Sequence, residues 1–106
     1  FVPTKEDSHF EHKIVNELAF PLTRIKGISI LEYRTPSTLD LWSPNTFTNI
    51  TEFFDEKQRQ LMLFESQKDR WYFQEDLLKS FHSNFQSYKK GIKYVEQFKT
   101  IQLYKL

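Results

Sequence analysis

The chain has 106 residues, 15 Lys and Arg and 14 Asp and Glu, so its formal net charge at pH 7 is +1. The absence of Cys excludes disulfides, thiolate nucleophiles and Cys-type zinc sites. Two Gly in the whole chain are too few for the phosphate-binding loops of P-loop and Rossmann proteins.

The length predicts one domain over residues 1–106. Aromatic residues make up 17% of the chain and offset a low apolar fraction of 39%, because each ring buries a large area. No apolar run approaches the roughly 18 residues that a membrane span needs, so we expect no span, and the lack of Cys fits an intracellular location. A first residue of Phe1 instead of Met indicates a fragment or a processed form.

The N-terminal part predicts a flexible arm over residues 1–7, followed by a helix over 9–19. Ser8 and Glu11 match a capping box. Apolar residues then recur every four positions, as on one helix face, until Pro21 ends the pattern; they are Phe10, Ile14 and Leu18.

Residues 24–34 predict a strand, because β-branched and large residues alternate there with smaller ones. Residues 38–42 alternate again. A turn at Pro36 would join the two segments as a β-hairpin.

The middle of the chain predicts a helix within residues 44–66, with Ser43 as N-cap and Pro44 at the first helical position. Six consecutive polar residues, 55–60, predict that this helix ends or leaves the core there. A buried strand over 60–65 is the alternative.

The strongest pattern lies in residues 69–90, which predict a long helix capped by Asp69 and ended at Gly91. Its apolar stripe consists of Phe73, Leu77, Phe81, Phe85 and Tyr88. After Gly91, residues three apart favour a helical start, and the alternation near residue 101 favours an extended finish.

Together these elements predict a helix-rich α+β domain: a short helix, a β-hairpin, two longer helices and a short C-terminal element. An all-α fold is the alternative.

Residues that carry chemistry are sparse, and we predict no catalytic residue, no metal site and no cofactor. The three histidines, His9, His12 and His82, are too few and too scattered for a zinc site. Glu32 and Arg34 have the acid-x-base spacing of metal-dependent nucleases, but Arg does not readily give up a proton to act as a base. A small metal-dependent hydrolase is therefore the least favoured function.

The favoured function is a non-catalytic protein-interaction domain or a small subunit of a larger assembly, whose partner is another protein or a second copy. The basis is an excess of aromatic surface without a catalytic signature. The predicted partner-binding residues are Trp71, Tyr72, Phe81, Phe85 and Tyr88.

An RNA-binding module is the alternative, since residues 77–106 contain six Lys and one acid. Tyrosines interleaved with lysines can stack on bases while the lysines contact phosphates. The residues of this alternative are Lys89, Lys90, Lys93, Lys99, Lys105 and Tyr94.

Overall fold

In the computed structural model, residues 1–84 and 91–105 are described, and they form a small α+β fold with three α-helices and a four-stranded mixed sheet. The α+β prediction is confirmed, and the all-α alternative is not favoured. The helices are α1 (Phe10–Ala19), α2 (Phe54–Leu61) and α3 (Glu75–His82). The strands are β1 (Val2–Pro3), β2 (Ile30–Tyr33), β3 (Thr46–Asn49) and β4 (Val95–Gln102).

The sheet has the strand order β1-β2-β4-β3. Strand β1 pairs with β2 in parallel, Val2 opposite Glu32, and β2 pairs with β4 antiparallel, Tyr33 opposite Phe98. In β2, Ile30 and Glu32 are buried and their neighbours are half-buried, as expected for alternate residues on the two faces of a strand.

The chain divides into two compact units, the first formed by residues 1–47 and 97–106 and the second by residues 48–96. The single-domain organisation stays a prediction. Each unit has its own buried side chains and is described by itself.

The first unit has an unusually polar interior. Ile30 and Trp42 are buried there, but so are Thr4, Asp7 and Glu32. Residues 1–7, predicted as an arm, are built into this unit, because β1 pairs with β2 and the side chains of Thr4 and Asp7 are fully buried.

Helix α1 confirms the predicted helix over 9–19, but the predicted capping box is wrong. The Ser8 hydroxyl donates to the carbonyl of Ser37 (3.1 Å) instead of closing the first turn. The carboxylate of Asp7 accepts from the amide of His9 (2.7 Å), which is a turn immediately before the helix, and no side chain caps the first turn of α1.

The predicted hairpin between residues 24–34 and 38–42 is wrong. Only Ile30–Tyr33 form a strand, and its partners are β1 and β4. Thr38 makes a single isolated bridge with Asp7, because the turn at Pro36 is held by hydrogen bonds to that carboxylate and not by a second strand.

The predicted helix start at Ser43 and Pro44 is also wrong, since strand β3 follows. The amide of Asn45 donates to the carbonyl of Phe98 (3.0 Å), so this segment pairs with β4. The helix expected within 44–66 is α2, which runs through the polar residues 55–60 because it lies at the surface with only Phe54 buried. Residues 60 and 61 end α2 and none of residues 62–65 is in a strand, which excludes the alternative strand over 60–65.

The second unit packs around one apolar cluster formed by Ile50, Phe54 and Leu78, with Leu61, Phe73 and Tyr94 against it. The rings of Phe54 and Tyr94 stack with centroids 3.9 Å apart. This cluster joins α2, α3 and the start of β4.

The single long helix over 69–90 is wrong. A 3₁₀ turn at Trp71–Phe73 and α3 are separated by Gln74, whose backbone is extended. Helix α3 ends at His82, and Ser83 is extended and bridges to Tyr94. Residues 85–90, including Phe85 and Tyr88 of the predicted stripe, lie outside the described residues. Gly91 has a positive φ of 70°, as expected of a left-handed turn residue.

The C-terminal segment is extended from Val95 to Gln102, so the predicted helical start is wrong and the extended finish is confirmed. Spacings of three in Ile92, Val95 and Phe98 coincide with helical periodicity, but strand pairing decides the backbone conformation: β4 pairs with β2 from Phe98 to Gln102 and lies beside β3 on its other edge.

Candidate functional site

Helix α1 turns its polar side toward the rest of the first unit. The Asn16 amide nitrogen donates to the carbonyl of Pro3 and to Oε2 of Glu32, both at 2.8 Å. One turn earlier, His12 Nδ1 lies 3.0 Å from Oδ2 of Asp7. His12, Asn16 and Ala19 are the half-buried residues of α1, so they define its inward face.

The opposite side of α1 carries the apolar stripe. Each residue of a helix turns by about 100°, so Phe10, Ile14 and Leu18 lie roughly opposite the inward face. Their exposed fractions are 72%, 37% and 74%. We call these three side chains the outward face of α1. Val15 and Phe20 are exposed as well, but the same turn per residue places them nearer the inward face than the centre of the stripe.

This orientation reverses the usual amphipathic arrangement, in which the apolar stripe of a surface helix faces the core. None of the ten residues of α1, all of which the structure describes, is buried. Phe10 and Leu18, which are largely in water, forgo about 1.5–3 kcal/mol each of burial free energy. Contiguous apolar surface of this kind is typical of interaction sites.

A second feature of the first unit is the fully buried carboxylate of Asp7. Oδ1 accepts from the His9 amide and from Ser37 Oγ, at 2.7 and 2.6 Å. Oδ2 accepts from Thr35 Oγ1 at 2.6 Å and from His12. Burial by itself raises the pKa of Asp7, but these hydrogen bonds outweigh it, those of Ser37 and Thr35 most strongly, and hold the pKa well below its ordinary value.

Asp7, His12 and Ser37 have the composition of a catalytic triad but not its geometry. In a triad the imidazole lies between the acid and the nucleophile, with one ring nitrogen bonded to each. Here Asp7 and Ser37 both approach Nδ1 of His12, and the Ser37 hydroxyl donates directly to the carboxylate. The arrangement joins the start of α1 to the 35–38 turn, which is a structural role.

The second unit contains a polar contact at the edge of its apolar cluster. His82 is buried; its Nδ1 lies 2.8 Å from the carbonyl of Leu78, and its Nε2 lies 2.8 Å from Nζ of Lys57. Lys57 also pairs with Glu96. Nδ1 therefore donates and Nε2 accepts from the ammonium, which describes a neutral imidazole that ties α3 to α2.

The residues considered for metal chemistry do not converge. His9 and His12 stack on each other with centroids 4.5 Å apart, and Glu32 is bonded to Asn16. Within residues 1–84 and 91–105, no group of three or more His, Asp or Glu side chains has a metal-binding arrangement.

The predicted partner-binding residues are only partly brought together. Trp71 is 63% exposed and meets the half-buried Tyr72 edge to face, with centroids 5.5 Å apart. The Tyr72 hydroxyl donates to Gln67. Phe81 is half-buried against the ring of His82. Phe85 and Tyr88 lie outside the described residues, so this set stays a prediction, although the continuous helix face behind it is wrong.

The residues of the RNA-binding alternative are divided between the two units. Lys93 and Tyr94 belong to the second unit, whereas Lys99 and Lys105 belong to the first. All three lysines are exposed, but Tyr94 stacks on Phe54 inside its own unit. Lys89 and Lys90 lie outside the described residues.

The sequence analysis found the α1 stripe but did not select it as a site. Periodicity alone cannot tell which side of a helix faces the core. A signal was present in Asn16 and His12, whose polar side chains share the face opposite the stripe, but it acquires meaning only with the buried acids that they contact.

No protein-family model matches the chain, and no curated protein or solved structure shows significant similarity to it. Among the described residues, no helix is long and apolar enough to cross a membrane. The proposals below therefore rest on the chemistry of the chain itself.

Proposed function

We propose that the chain is a non-catalytic protein-interaction domain, or a small subunit of an assembly, that contacts its partner through the outward face of α1. The observation that carries this proposal is the reversed orientation of α1. Its polar residues are bonded inward, and its largest apolar side chains, Phe10 and Leu18, are 72% and 74% exposed.

The helix cannot simply turn over to bury its stripe. Rotation would remove the Asn16 hydrogen bond from Glu32, which is 6% exposed, and the contact between His12 and Asp7. A buried carboxylate that loses its donors costs several kcal/mol. The stripe therefore stays outward in the folded chain, available to a partner.

The test compares two equally exposed leucines of the first unit, Leu18 (74%) and Leu41 (66%). At a chain concentration too low for association, Leu18→Glu and Leu41→Glu should both unfold at the urea concentration of the unchanged chain, since neither side chain is buried. In cells, only Leu18→Glu should lower the native mass of the epitope-tagged chain, measured by sedimentation.

The proposal fails if the unchanged chain and Leu18→Glu have the same native mass in cells. It also fails if Leu18→Glu lowers the urea midpoint of the dilute chain, because the stripe would then belong to the folding core.

A further inference from the structure

The outward face of α1 carries opposite charges along one edge. At about 100° per residue, Lys13 and Glu17 follow each other one turn apart beside Phe10. Neither has an ion-pair partner in the part of the chain that the structure describes. Both side chains are exposed.

The charges along this edge complement those of a second copy of α1 when the two helices lie antiparallel. A twofold axis perpendicular to both helices brings the same edge of each together and reverses its direction. With the twofold axis at the level of residue 15, Lys13 of one chain lies opposite the partner's Glu17, and Glu17 lies opposite the partner's Lys13.

The three outward side chains supply part of the area that a specific contact needs. With ~200 Å² for each fully exposed large side chain, their exposed fractions leave roughly 370 Å² per chain. Specific interfaces bury about 800 Å² per partner and weak ones less than about 600 Å², so this stripe and its polar edges fit a dimer at the weak end of that range.

We propose that α1 pairs with α1 of a second copy of this chain, antiparallel, with the outward faces in contact and reciprocal Lys13–Glu17 ion pairs along one edge. This inference rests on the proposed function and names its partner. A lipid surface fits less well, because interfacial helices carry several Lys or Arg on a polar face turned to water, whereas the polar face of α1 is bonded to its own unit.

The decisive experiment is a charge exchange followed by sedimentation equilibrium of the purified chain. The unchanged chain should have twice its mass of 12.9 kDa. Lys13→Glu or Glu17→Lys alone turns both reciprocal pairs into repulsions and should weaken dimerisation by about 5- to 30-fold. The double variant restores both pairs and should dimerise like the unchanged chain.

Mixing the two single variants gives the sharpest result. A Lys13→Glu chain has two acids at the edge and a Glu17→Lys chain has two lysines, so their heterodimer regains both ion pairs and should form with the affinity of the unchanged dimer. Lys26→Glu makes the same charge change at another exposed lysine of the first unit and should have no effect. Leu18→Glu should give a monomer.

The inference is overturned if the purified chain stays monomeric at its highest soluble concentration, or if the mixed single variants fail to recover affinity. A monomeric purified chain whose native mass in cells still depends on Leu18 overturns self-pairing and leaves the proposed function standing. Monomers in both settings overturn both. Flotation of the monomer with lipid vesicles, lost in Leu18→Glu, would assign the face to a membrane surface and overturn self-pairing.

Discussion

Replacing Asp7 by Asn should destabilise the first unit strongly. The carboxylate is fully buried and accepts from five donors: the His9 amide and the side chains of Ser37, Thr35, His12 and Thr38. An Asn side chain has one acceptor oxygen in place of two, so at least two donors lose their acceptor. Each unsatisfied buried donor costs about 1–3 kcal/mol, and loss of the buried charge beside His12 brings the expected decrease in unfolding free energy to about 3–5 kcal/mol.

Urea unfolding followed by tryptophan fluorescence measures this change. The chain has two Trp, and Trp71 belongs to the second unit, so a Trp71→Phe background leaves Trp42 to report on the first. With a urea dependence of about 2 kcal/mol per molar, the midpoint should fall by about 2 M. If Asp7→Asn does not fold, Thr35→Val, which removes one donor, should lower the unfolding free energy by about 1–2 kcal/mol.

The matched control is Asp40→Asn, which removes an exposed carboxylate of the same unit and should leave the midpoint unchanged. Equal midpoints for Asp7→Asn and Asp40→Asn would refute the reasoning, because the buried hydrogen bonds would then contribute nothing net.

The contribution of Asp7 to the unfolding free energy depends on pH with a definite sign. The pKa of Asp7 in the folded chain is lowered, whereas an unfolded Asp titrates near about 3.9. The stabilisation is therefore fully present above the unfolded pKa and is lost as the pH falls toward the folded pKa. The difference in unfolding free energy between the unchanged chain and Asp7→Asn should be constant above about pH 5 and shrink below about pH 4. A difference that persists unchanged at pH 2.5 contradicts a lowered pKa.

Three further predictions concern the second unit and are measured by urea unfolding, with Trp42→Phe leaving Trp71 as the probe. Phe54→Ala should cost about 3–4 kcal/mol, because it empties the centre of the apolar cluster and removes the stack on Tyr94; a loss below 1 kcal/mol would contradict this packing. Lys57→Met should cost about 1–2 kcal/mol by removing the donor to His82 and the cation beside Glu96, whereas Lys26→Met should cost nothing. Gly91→Ala should cost about 1 kcal/mol because its φ is positive, although, apart from its chain neighbours, no described atom lies within 4 Å of the added Cβ; an unchanged midpoint would argue against this conformation.

Local patterns predicted the elements whose conformation is decided locally. The helix predicted over 9–19 forms as α1, and of the strand predicted over 24–34 only Ile30–Tyr33 forms. The hairpin failed because the partners of β2 are β1 and β4, which are distant in sequence, and spacing within a segment carries no information about its partner.

The prediction of one long helix over residues 69–90 failed for a related reason. Its stripe has helical spacing, but Gln74 and Ser83 are extended, and Ser83 bridges to Tyr94. Tertiary pairing overrides helical preference at Ser83, whereas Gln74 is the N-cap residue at which α3 begins. The result is a short helix that buries Leu78 and leaves Leu77 and Trp71 substantially exposed, which no periodicity over 69–90 anticipates.

The direction of α1 shows why the site itself escaped prediction. Turning Phe10 and Leu18 inward would gain about 1.5–3 kcal/mol each, and side-chain spacing alone favours that orientation. It would also take Asn16 from Glu32 and His12 from Asp7, and each buried carboxylate that loses a donor costs several kcal/mol, which offsets this gain. The orientation therefore follows from the burial of Asp7 and Glu32. Burial of these acids depends on the parallel pairing of β1 with β2 and on the turn at residues 35–38, so the face that remains for a partner is fixed by contacts far from the helix in sequence.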